Sequence, residues 1–137
     1  MLRRNQKVEL IRQVPLFSHC SKRELEQIAQ IADEIDLREG KEMTTQGSRG
    51  REFFVLLDGD AEVTKDGRKI NALSSGDFFG EIALVSDSPR TATVTATSPI
   101  RALVITDRAF KRLLQDVPEI QASVLSALAA RLAPELV

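Results

Sequence analysis

Phe79-Gly80-Glu81-Ile82-Ala83-Leu84, followed after a short spacer by Pro89-Arg90-Thr91-Ala92, is the stretch on which the reading of this 137-residue chain turns. Gly80 has no Cβ, so the backbone there can come close to whatever it faces. The amides from Glu81 to Leu84 open a short apolar segment; if it turns helical, its first N–H groups lack partners within the turn and can point at an anion. Arg90 adds a planar, permanently charged fork that matches a phosphate through two N–H groups at once. Glu81 is the odd member, because a carboxylate repels a phosphate unless it accepts hydrogen bonds from hydroxyls on the same ligand. A sugar phosphate carries both halves. Taken alone, Glu81 and Arg90 are equally a structural ion pair, since most such pairs have no function, and Gly80 is equally a turn or bulge glycine.

Outward from this stretch the chain changes period twice. Val8, Ile11 and Val14 recur at helical spacing until Pro15-Leu16-Phe17 breaks the segment. Ser21-Lys22-Arg23-Glu24 is a capping box that opens a helix carrying Leu25, Ile28, Ala29 and Ala32. From Ile35 the period shortens, and Glu39-Gly40, Gln46-Gly47, Asp58-Gly59, Asp66-Gly67 and Ser75-Gly76 punctuate short apolar runs, the pattern of an all-β roll or sandwich. Asp66-Gly67, between Ala61 to Lys65 and Arg68 to Leu73, predicts a hairpin. After Thr93 to Ala96 and Ile100 to Ile105 the helical period returns. Thr106 is placed to cap a helix through Leu113-Leu114, with Asp107 complementing its dipole. A last helix begins near Pro118, carries Ile120, Val124, Leu125, Leu128 and Leu132 on one face, and stops at Pro134.

The Phe-Gly-Glu-Ile-Ala-Leu and Pro-Arg-Thr-Ala pair closely resembles the phosphate-binding cassette of cyclic-nucleotide-binding domains, the family found in bacterial cyclic-AMP receptor proteins, protein kinase A regulatory subunits and cyclic-nucleotide-gated channels. Gly40, Gly47, Phe53-Phe54, Gly59 and Gly76-Asp77 follow the order and spacing of that family's β-roll, so the likeness covers nearly the whole chain. It implies an α+β, mainly β fold: a jelly-roll-like β-roll flanked by N-terminal helices and two C-terminal helices. The expected organisation is one domain over 1–137, with helices in 1–34, the roll in 35–105 around a cassette at 79–92, and helices in 106–133. The implied ligand is cyclic AMP, with cyclic GMP as the secondary alternative, and no other cofactor. Arg90 would take the exocyclic phosphate oxygens and Glu81 the ribose 2′-OH. Backbone N–H groups of Ile82, Ala83 and Ala92 would donate to phosphate or its ester oxygens, and Gly80 would shape the turn. Thr91 would reach phosphate or base; it permits cyclic GMP without requiring it. Val63 and Ile70 would line the base pocket, and Leu128 or Leu132 on the final helix would cap the base.

By the same resemblance, ligand binding would draw in the segment Glu81 to Leu84 and shift the terminal helices, the output of the family. The sequence holds no helix-turn-helix after the roll and no kinase-inhibitor segment or transmembrane span before it. The expected output is therefore through an effector protein or a fused domain, and a homodimer is allowed. The competing reading is a ligand-free interaction domain that kept the fold. Against it stands the Glu81/Arg90 pair, since a buried charge constellation costs stability when empty.

Composition narrows the field further. With 42% hydrophobic and 28% charged residues the chain is globular, and its net charge of −1 gives no bulk attraction for nucleic acid or an anionic membrane. Apolar runs are short and Met1-Leu2-Arg3-Arg4 leads into mixed polar sequence, so no membrane insertion and a cytoplasmic location are expected. Cys20 is the single cysteine and excludes an internal disulfide; His19 is the single histidine, a surface or structural residue. A metal-dependent β-roll enzyme would have to build its site from carboxylates alone, and no nucleophile-elbow motif is present. No enzymatic activity and no metal site are therefore expected.

Overall fold

Asp66-Gly67 makes the reversal its chemistry predicts. Antiparallel strands β4 (Ala61–Lys65) and β5 (Arg68–Leu73) flank it, with Asp66 at φ 53° and Gly67 at φ 77°. Two consecutive left-handed residues give the turn a twist that matches the strands it joins. The structure, a computed structural model, describes residues 3–84 and 87–132, the side chains of Ile82, Ala83, Leu128 and residues 130–132 excepted. Residues 33–107 form one unit, and residues 3–32 with 108–132 form a second.

The first unit is a jelly-roll-like β-roll of two four-stranded sheets. One is ordered β1 (Asp33–Leu37), β8 (Ile100–Thr106), β3 (Glu52–Asp58), β6 (Phe78–Phe79); the other β2 (Glu42–Thr44), β7 (Thr93–Ala96), β4, β5. Every pairing is antiparallel. The sheets meet over Leu56, Ala61, Val94, Ala96, Ile100 and Ala102, where the alanines let the layers approach. β3 is buried on both faces from Phe53 to Leu56, which is why its sequence is a continuous apolar run. Phe54 stacks on Phe79 with ring centres 5.0 Å apart, fixing the short strand β6 against it.

β1 begins at Asp33, ahead of Ile35, because Asp33 and Glu34 pair with Val104 and Leu103. An edge strand with charged outward positions carries little apolar alternation, so periodicity alone places its start too late. Between β6 and β7 lies a 3-10 turn at Glu81–Leu84.

The second unit contains α1 (Arg4–Arg12), a 3-10 turn at Pro15–Phe17, α2 (Lys22–Ile31), α3 (Asp107–Asp116, whose first residue ends the roll) and α4 (Pro118–Leu132). The capping box forms: Ser21 N donates to Glu24 Oε1 at 2.7 Å, and Glu24 N donates to Ser21 Oγ at 3.2 Å. Glu24 also accepts from Ser123 Oγ at 3.3 Å, so the carboxylate that caps α2 ties it to α4. The nearby Cys20 thiol is pushed up to about 11 by burial and then by the Glu24 charge, against the hydrogen bond with Ser123, and stays protonated at neutral pH. Phe17 and Phe110 pack with ring centres 5.8 Å apart.

In α4, Ile120, Val124 and Ala127 are buried, but Leu125 is 64% exposed. The expectation that Leu125 shares their face is corrected. One residue beyond Val124 turns roughly a quarter of the way round the helix, off the buried stripe. Pro134 lies outside the described residues. Ile120→Ala is expected to cost about 2–5 kcal/mol, as full loss of a buried aliphatic side chain does. Leu125→Ala is expected to stay within about 0.5 kcal/mol of wild type. Urea unfolding of the two variants checks both, and equal losses would return Leu125 to the core.

Candidate functional site

Within the β-roll a cavity of about 350 Å³ opens between the β4–β5 hairpin and the segments on either side of the 3-10 turn. Val63, Asn71 and Leu73 line it from the hairpin, Phe78 to Glu81 from β6 and the turn, and Ser88 to Ala92 from the spacer and the start of β7. The hairpin side of the wall is thus apolar apart from Asn71, while Glu81, Ser88, Arg90 and Thr91 bring polar groups to the cassette side.

Arg90 is the most constrained side chain in the cavity wall. Its backbone is held twice, with Arg90 N donating to Ser48 O and Gly47 N donating to Arg90 O, each at 2.8 Å. Its side chain is 8% exposed and runs between two glycines. A Cβ on Gly50 would lie 2.9 Å from Nε, and one on Gly80 would lie 2.8 Å from Nη1 and 2.7 Å from Glu52 O. Gly80 is also left-handed, at φ 82°, so glycine is required there both for conformation and for space. Nη2 donates to Glu52 O at 2.6 Å and stands 3.6 Å from the Glu52 carboxylate. Nε is buried without a hydrogen-bond partner. Burial pulls the guanidinium pKa below its ordinary value, and the Glu52 charge opposes the shift; an arginine remains cationic at neutral pH all the same. The result is a preformed, desolvated cation in a cavity wall, its Nε buried without a partner.

Several residues singled out in the sequence converge here: Val63, Gly80, Glu81, Arg90, Thr91 and Ala92 all line the one cavity. Glu81 brings a buried carboxylate oxygen, Oε2. Thr44 Oγ1 donates to Ala92 O at 3.2 Å and fixes the start of β7. Ile82 and Ala83 occupy the 3-10 turn, their side chains outside the described residues; Leu128 and Leu132 lie on the backbone of α4, and their side chains too lie outside the described residues.

Ile70 does not join them. It is 57% exposed and absent from the cavity wall. A regular hairpin about Asp66-Gly67 would set Ile70 opposite Val63, but the register shifts between Val63 and Thr64: Thr64 pairs with Lys69 and Val63 with Asn71. The bulge turns Ile70 outward and brings Asn71 and Leu73 to the wall. Sequence reasoning also passed over Gly50 and Glu52. The signal available for Gly50 was a glycine beside the β3 run that no turn required.

Comparison with known proteins gives the chain its family. The model of the cyclic nucleotide-binding domain family matches residues 34–117, and the chain belongs to that family. It is 44% identical, over 74% of its length, to the cAMP-dependent protein kinase regulatory subunit of Mycosarcoma maydis, of which it spans 21%. Among solved structures, the N-terminal domain of a transcriptional regulator from Streptomyces coelicolor A3(2) superposes with a TM-score of 0.84 at 25% identity, covering 92% of this chain and 94% of that one. A cAMP-bound PfPKA-R superposes with a TM-score of 0.70 at 28% identity, covering 92% and 47%.

A desolvated guanidinium with one carbonyl and a distant carboxylate as partners stabilises the empty protein little. Arg90→Met, which keeps the volume and removes the charge, is therefore expected to leave ligand-free stability within about 1 kcal/mol of wild type or above it. Unfolding without ligand measures this, and a loss beyond about 3 kcal/mol, the cost of breaking a structural buried pair, would make Arg90 a fold residue.

Proposed function

We propose that the cavity binds a cyclic nucleotide, cyclic AMP in the first place, and that the chain is a regulatory module with no catalytic role of its own. One observation carries the reading: the preformed Arg90 guanidinium, squeezed between Gly50 and Gly80 with Nε unspent, faces the same cavity as Glu81. In this reading Arg90 takes the exocyclic phosphate oxygens and Glu81 accepts from the ribose 2′-OH, so the ligand itself reconciles the two opposite charges. Backbone N–H groups of Ile82, Ala83 and Ala92 complete the phosphate cradle, since the first amides of a short turn have no partner within it. Val63 and Leu73 receive the base, with Leu128 or Leu132 of α4 as its cap.

The output in this reading is movement of the terminal helices toward an effector. The ligand shifts that equilibrium only by as much as it prefers one arrangement. A kinase catalytic subunit is the partner class that the name of the Mycosarcoma maydis relative supports. A cytoplasmic setting suits such a sensor; among the described residues no helix is long and apolar enough to cross a membrane.

Arg90→Ala is expected to raise Kd for cyclic AMP by roughly two to three orders of magnitude, because truncating one member of a desolvated charge pair costs about 2–5 kcal/mol. Arg90→Lys also weakens binding, since a point charge cannot replace the fork. Titration calorimetry checks both, and an alanine variant within about threefold of wild type, worth only ~0.65 kcal/mol, would sink the assignment.

Cyclic GMP is the second reading, and two polar residues favour it: Thr91 and Asn71 both line the cavity. The hairpin side that would receive the base is apolar apart from Asn71, and such a surface discriminates between purines weakly, so the expected preference for cyclic AMP is on the order of tenfold, or about 1.4 kcal/mol. Thr91→Ala is expected to weaken cyclic GMP more than cyclic AMP. Competition titrations decide the point: equal effects on both ligands, or a strong wild-type preference for cyclic GMP, would reverse the assignment.

A further inference from the structure

Glu52 touches Arg90 in two chemically distinct ways. Its backbone oxygen accepts from Nη2 at 2.6 Å, and its carboxylate Oε2 stands 3.6 Å from the same nitrogen. The carboxylate is itself steadied, because Arg51 N donates to Oε2 at 3.0 Å. The two partners differ in freedom: the Arg90 side chain is 8% exposed, whereas that of Glu52 is 44% exposed. A carboxylate half in water can turn away at small cost, while the guanidinium, wedged against Gly50 and Gly80, cannot follow it.

We propose that the Glu52 carboxylate is a resident anion of the site, one that holds the Arg90 guanidinium while no phosphate is bound and competes with phosphate for it. The proposal rests on the reading of the cavity as a cyclic-nucleotide site. Glu52 stands beside the buried cation and Glu81 lines the same cavity, so the charge that meets an incoming phosphate is less positive than Arg90 alone would make it. Removing the Glu52 charge relieves that competition. It does not release the guanidinium, because the carbonyl anchor belongs to the backbone and survives any side-chain substitution. A purely orienting role predicts the opposite sign, since the loss of an orienting carboxylate loosens the fork and weakens binding.

Glu52→Gln keeps the shape and removes the charge. In titrations with cyclic AMP it is expected to bind about three- to tenfold more tightly than wild type. In ligand-free thermal unfolding, the same substitution is expected to lower Tm by about 2–4 °C in the wild-type background and to have no effect in the Arg90→Met background, where the resident anion has no partner. Unchanged or weaker affinity in Glu52→Gln, with wild type binding normally, overturns the proposal. If neither wild type nor Glu52→Gln binds cyclic AMP, the nucleotide reading of the cavity fails instead. The unfolding cycle then decides the pair: a cost confined to the Arg90 background sustains it, and an equal cost in both backgrounds overturns it.

Discussion

The site depends on a single hydrogen bond, from Arg90 Nη2 to the carbonyl of Glu52. A guanidinium taken out of water is costly unless its N–H groups are satisfied, and here the satisfying group is a strand carbonyl that the β-ladder has already fixed. Glu52 is the first residue of β3, which pairs with β8 through Glu52 and Thr106 and with β6 through Phe54 and Phe79. The position of the phosphate-matching fork is thus set by the most deeply buried strand of the roll rather than by the loop that carries Arg90. Gly47 and Ser48 reinforce this by gripping the Arg90 backbone, so both ends of the residue are tied to the segment leading into β3.

The same logic explains the glycines on either side of the guanidinium. Gly50 and Gly80 approach it from different parts of the chain, and at each a Cβ would come within 3 Å of a guanidinium nitrogen. A larger residue at either place would force the fork out of line or out of the wall, and the tolerance for misplacement at a phosphate-binding fork is small because two parallel N–H···O bonds must form together. The groove that holds Arg90 is therefore defined by absent atoms as much as by present ones.

What the sequence discloses follows from how local each cause is. The hairpin at Asp66-Gly67, the capping box at Ser21 and Glu24 and the helix start at Pro118 are legible because neighbouring residues suffice to produce them. The convergence of Gly80, Glu81, Arg90 and Thr91 is legible for the same reason, since all lie in one short segment. Ile70 misleads because the bulge that turns it outward is a property of the pairing between β4 and β5, with no turn residue to announce it. Gly50 and Glu52 stay hidden because they meet Arg90 across a separation of about forty residues, a closeness that only the pairing of sheets creates. Leu125 misleads in another way: α4 is apolar around most of its circumference, so composition cannot tell its buried stripe from its exposed one.

A site of this kind also makes the charges informative about function. The Arg90 guanidinium is desolvated, its Nε has no partner, and the Glu52 carboxylate beside Nη2 is half exposed, at a distance too long for a hydrogen bond. Such features contribute little to folding, for an apolar side chain of the same length would fill the space between Gly50 and Gly80 without a desolvation cost. In the proposed reading they become favourable together when an anion accepts from the fork and, through a hydroxyl, donates to Glu81. A ligand of that kind would complete a network whose desolvation the protein otherwise bears alone, and this is the ground on which we propose a binding site rather than a core arginine.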